Sequence, residues 1–195
     1  MEFFSMVIDA SGKMLSTLPG ELPGAATVWG RGNVLLYPEY PSAKQGCTLL
    51  KGIHLPSRQQ RFAHLLDGLV TDMSSQDDGA VFALLAPSET RSGRIVKLLM
   101  APFRTVWHVD IPVERQEQVV CILAHNDALH YAVMAEEPLG SGRMTGLKWG
   151  REAVDVQTGN WVDRPEWEWD PSRICGLAAD GARYIVTRTD RGFRV

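Results

Sequence analysis

The feature that most constrains this chain is a short unit written at least three times: an apolar run, a turn of small polar residues, and a second apolar run. It reads Met6-Val7-Ile8-Asp9-Ala10, Ser11-Gly12-Lys13, Met14-Leu15; then Thr27-Val28-Trp29, Gly30-Arg31-Gly32-Asn33, Val34-Leu35-Leu36-Tyr37; then Ile174-Cys175-Gly176-Leu177-Ala178, Ala179-Asp180-Gly181-Ala182, Arg183-Tyr184-Ile185-Val186. Glycine and asparagine reach the positive φ of tight turns, and β-branched and aromatic residues fit a pleated, half-buried surface. The chain is therefore expected to be mainly β, in an α+β arrangement dominated by hairpins. Further strands are expected at 47–55, 80–86, 94–100, 105–111, 119–123 and 153–156, with a closing edge strand at 192–195. Residues 127–137 fit strand or helix, and the analogy with the other hairpins favours strand.

One segment breaks the pattern. Phe62, Leu65, Leu66, Leu69, Val70 and Met73 recur at i, i+3, i+4, i+7, i+8 and i+11, which predicts an amphipathic helix near 57–73. Ser57 suits its N-cap, with Gln60 three residues later completing a capping box.

The expectation is a single globular domain over 1–195, built as a curved antiparallel sheet or as a small or partial propeller-like array of hairpins. The hairpin units resemble blades of β-propeller repeat proteins, in which a strand pair with an Asp-Gly-like turn is followed by outer strands such as Thr105-Val106-Trp107-His108-Val109-Asp110. Hairpins starting near 5, 27, 80, 119 and 174 are unevenly spaced, so the resemblance implies a partial or small propeller.

Composition narrows the function classes. A net charge of −3 supplies no whole-chain field for phosphate backbones, so direct nucleic-acid binding is not expected. The arginines at 183, 188, 191 and 194 alternate with Asp180 and Asp190 and read as a solvated edge. No apolar run approaches the roughly 18 residues of a membrane helix, and the N-terminal residues lack the pattern of a secretory leader. Cys47, Cys121 and Cys175 are odd in number and widely spaced, which suits reduced thiols and a cytoplasmic setting.

Candidate chemistry is sparse. His108 and Asp110 share one face of a strand, and His125 and His130 flank a turn, so these four are the candidate metal ligands of a small hydrolase or oxygenase. The sequence supplies no third histidine downstream, and no cofactor is expected. Cys121 and His125 are the nearest nucleophile and base, but Cys121 lies within Val-Val-Cys-Ile-Leu, where a thiol behaves as a small hydrophobe. Trp149, Trp161, Tyr37 and Tyr40 could form a platform for a carbohydrate or other small molecule.

The most unusual composition is the stretch from Trp161 to Asp170. It holds three of the six tryptophans, two of them framed by Glu166, Glu168 and Asp170. Trp161, Trp167 and Trp169 with these carboxylates are the candidate partner-binding residues, suited to a protein with a basic surface. The leading expectation is a non-enzymatic interaction module, an accessory or inhibitory, immunity-type subunit.

Overall fold

The computed structural model describes residues 4–8, 14–19, 25–29, 34–41, 46–76, 79–87, 93–111, 117–136, 144–164, 187–189 and 192–194. Seventeen strands are assigned among them, in antiparallel pairs throughout, and the described residues contain no helix. None therefore contains a helix long and apolar enough to cross a membrane.

Three units follow one another. The first joins β3 (Thr27–Trp29), β4 (Val34–Glu39), β5 (Cys47–His54) and β6 (Gln59–Asp67) in sequence order. The second repeats this meander with β7 (Val70–Ser75), β8 (Ala80–Leu85), β9 (Arg94–Met100) and β10 (Phe103–Asp110). The third holds β11 (Glu117–His125), β12 (Ala128–Glu136), β13 (Met144–Trp149), β14 (Glu152–Asp155) and β15 (Trp161–Asp163). Both β13 and β14 pair with β12, at successive stretches of its length, and the Gly150 N–H donates to the Tyr131 carbonyl between them. Together they are one strand interrupted at Gly150 and Arg151, so this unit too is a four-stranded meander.

β1 (Phe4–Ile8) pairs with β2 (Met14–Pro19), and β16 (Thr187–Thr189) with β17 (Gly192–Arg194). Of the three hairpins that open the sequence argument, the first two are formed. Residues 174–186 of the third lie outside the described residues.

The units pack face to face because the middle one is apolar on both sides. All six residues of β8 are buried. Val81, Ala83 and Leu85 join Leu36, Leu50 and Leu66 of the first unit, whereas Ala80, Phe82 and Leu84 join Ile122, Leu129, Tyr131 and Val154 of the third. A strand buried on both faces reads as a continuous apolar run, which explains residues 80–86. The first strands abut in turn, β3 on β7 and β7 on β11, while β6 and β10 are largely exposed along their length. Four-stranded antiparallel sheets stacked in this way are the blades of a partial, propeller-like β fold.

The helix expected near 57–73 is replaced by β6 and β7. Phe62, His64 and Leu66 alternate toward the second blade, and Leu65, which a helix would bury, is 65% exposed. Gly68, at φ +116°, turns the chain between the strands, and a Cβ there would lie 2.9 Å from Leu85 Cδ1. The apolar spacing of 3.6 is thus the sum of two period-two patterns on either side of a turn. Ser57, expected to cap a helix, instead hydrogen-bonds His54 Nδ1 at 2.8 Å in the β5–β6 turn, where Arg58 adopts φ 54°. Residues 128–136 are strand, as expected, and Asn126 at φ 52° makes the turn that leads into them.

Candidate functional site

The candidate residues gather mainly on the third blade, whose two faces differ. Ile122, Ala124, Leu129, Tyr131, Val133 and Val154 face the second blade. Alternation turns Leu123, Ala128, His130, Ala132 and Ala153 to the opposite face, and these too are buried. Trp161, on the outermost strand β15, packs against the inner cluster and meets Tyr131 edge-on at 5.9 Å. Val162 beside it is 36% exposed. β15 is the rim strand of the blade. Glu166, Trp167, Glu168, Trp169 and Asp170 lie outside the described residues.

His125 and His130 share the outer face. His130 stands opposite Leu123, two residues from His125, so the two imidazoles are diagonal neighbours across the β11–β12 ladder. Burial, then the charges of His125 and Arg164, pushes His130 down to about 4, so it is neutral at pH 7. Its ring meets Trp149 edge-on at 6.1 Å.

His108 and Asp110 do share a face, on β10 at the rim of the second blade. There Asp110 takes both carboxylate bonds from Arg94, at 2.7 and 3.0 Å. The four histidine and aspartate candidates are thus divided between two blades. No group of three or more His, Cys, Asp or Glu side chains able to hold a metal occurs among the described residues. The aromatic platform is not assembled either. Tyr37 and Tyr40 belong to the first blade, and Trp149 and Trp161 lie on opposite faces of the third.

The junction of the second and third blades carries a polar ladder that the sequence reading missed. Asp72 Oδ2 accepts the Ile122 N–H at 2.8 Å, Ser74 Oγ accepts the Ala124 N–H at 3.0 Å, and Gln76 Nε2 donates to the Asn126 carbonyl at 2.7 Å. Side chains at i, i+2 and i+4, two on β7 and one just past its end, thereby close the free edge of β11. Burial drives Asp72 up to about 6, against the hydrogen bonds of the Ile122 and Met73 amides. Residues 71–76 are polar apart from Met73, so no alternation marked these three positions in the sequence.

Lys97 pins the same junction. Its Nζ is buried, donates to the Val156 carbonyl at 2.7 Å and to Gln157 Oε1 at 3.4 Å, and stands 5.8 Å from the Phe82 ring centroid. The turn it holds is organised by Asp155. Asp155 Oδ1 accepts the amides of Gln157 and Thr158 and the Thr158 hydroxyl, and the Thr158 bonds hold that carboxyl below its usual range. Gly159, at φ +75°, lies under the Trp107 ring, where a Cβ would approach Cδ2 to 2.8 Å.

The fold and this site define a β-propeller-like chain of three complete four-stranded blades among the described residues. Its structure is similar to that of TolB from Acinetobacter baumannii, with a TM-score of 0.51 and 14% identity. The match covers 96% of this chain but 43% of TolB, so this chain spans less than half the length of that structure. No protein-family model matches the sequence, and no curated protein does.

Proposed function

We propose that this chain is a protein-interaction module, an accessory or inhibitory subunit whose partner binds at the rim of the third blade. The observation that carries the reading is the anchoring of Trp161. Its ring is held against Tyr131 beside exposed Val162, and the acidic, tryptophan-rich residues 165–170 follow in the sequence. An aromatic segment tethered to a rigid sheet loses less freedom on binding, and carboxylates around Trp167 and Trp169 favour a partner with a basic surface. Three widely spaced cysteines, odd in number and without a C-x-x-C pair, are in keeping with a reducing, cytoplasmic setting. The likeness to TolB bears on the fold alone.

The test is affinity purification of the tagged chain from its native lysate at low and high salt, alongside the Trp167→Ala, Trp169→Ala double variant. The expected result is one stoichiometric protein partner, weakened by salt and lost in the variant, with a melting temperature within about 2 °C of the parent. A fall of about 10 °C would place both rings in the core instead. Undiminished capture by a stable variant would move the binding site elsewhere.

A further inference from the structure

We infer that the outermost strand of the first blade, β6, pairs antiparallel with the β6 of a second copy of this chain. β6 is last in its sheet, so no described strand pairs with its outer edge. An uncovered edge is a template for strand addition, and proteins usually guard it with proline, lysine, a bulge or brevity. The other two blades break theirs in mid-strand or keep it short. The register of β10 shifts at Val106, and β15 is three residues long. β6 runs nine residues with neither proline nor lysine; its one register shift falls at Arg61, near its start, and its pairing with β5 is regular over the six residues from Phe62 to Asp67.

The sequence of β6 selects a copy of itself as the occupant. Antiparallel pairing centred on His64 sets Arg61 opposite Asp67 of the other copy and Ala63 opposite its Leu65, and the two-fold axis repeats both pairs. Ala63, Leu65 and Asp67 lie on the face turned away from the second blade, and Arg61 is exposed at the register shift that precedes them. The pairing would thus bury two copies of Leu65, the most exposed large apolar side chain described, between two opposite-charge pairs. A two-fold contact demands this kind of self-complementarity. On the other face, Phe62 and His64 are already occupied. The His64 ring stacks on Phe103 at 4.1 Å and on Phe62 at 5.2 Å, which fixes the strand before a second copy arrives.

The contact is small, so association is expected in the micromolar range. The test is light scattering or sedimentation of the full chain at about 100 µM, at low and high salt. The expected result is a dimer, weakened by salt, that becomes monomeric in Arg61→Asp and in Asp67→Arg and re-forms in the double variant carrying both changes. Circular dichroism checks that each variant is folded, which these exposed positions permit. A monomeric parent, single reversals that leave a dimer intact, or a folded double variant that stays monomeric would each overturn the inference. Partner capture through residues 161–170 is scored separately and does not depend on this result.

Discussion

The two junctions between blades bury similar apolar sheets but close their polar groups differently. Between the first and second blades the linking side chains are neutral. Thr48 Oγ1 accepts the Val70 amide at 2.9 Å and donates to the Gly68 carbonyl at 2.8 Å, Trp29 Nε1 donates to Gly79 at 2.8 Å, and the Tyr40 hydroxyl donates to Val70. Between the second and third blades, Asp72 and Lys97 share the work with Ser74 and Gln76. The same packing geometry therefore yields one junction whose linking groups keep their protons through the acid and neutral range, burial raising the Tyr40 hydroxyl further above it, and one in which Asp72 does not.

Deep truncations should affect both junctions alike and most severely. Leu98→Ala at the first and Phe82→Ala at the second each remove a fully buried side chain, and each should cost about 2–5 kcal/mol in denaturant unfolding. A loss below about 1 kcal/mol at either position would mean that those sheets do not pack face to face there.

The pH dependence separates the junctions next. Asp72 is raised from 3.8 to about 6, so the native state holds a proton that the unfolded state has released. Its contribution is complete below about pH 4 and is lost as pH rises through 6, up to about 3 kcal/mol. His130 on the third blade acts in the opposite sense. Lowered from 6.5 to about 4, it contributes above pH 6.5 and is lost as pH falls through 4, by a similar amount. Between pH 4 and 6 the two largely offset each other. Asp72→Asn should then expose a loss of stability on acidification, and His130→Gln a relative gain, each measured against the parent's own profile. Parallel profiles for the parent and both variants would contradict this assignment.

Smaller effects refine the contrast. Lys97→Met keeps the aliphatic stem but leaves the buried Val156 carbonyl without its donor, for a cost of about 1–3 kcal/mol. Gln76→Ala removes an exposed bond at the end of the ladder and should change stability by less than about 0.5 kcal/mol, read from the same titrations.

Much of this fold was legible in the residues. Strands with one wet face or with two dry ones announced themselves, as at 105–110 and 80–85, and turn glycines marked the early hairpins. The repeat itself was not legible, because hairpins were the wrong unit to count. Blades begin at 27, 70 and 117, 43 and 47 residues apart, a spacing that appears only when β6 and β7 replace the expected helix. That helix rested on apolar residues whose spacing of 3.6 came from two strands joined at Gly68. The turn leading into a strand at Trp161 was legible, but Asp72 and Lys97 were not, since polar residues that serve a neighbouring sheet carry no local mark of their purpose.

The central claim is that residues 59–75 form the last strand of one blade and the first of the next. Nuclear Overhauser contacts within this segment test it most directly. The account requires cross-strand contacts between Lys51 and Ala63 and between Asp72 and Leu84, which are paired in the ladders, with a break at Gly68. Continuous contacts between residues three apart from 60 to 73, without those cross-strand pairs, would restore the helix and dissolve the boundary between the first two blades.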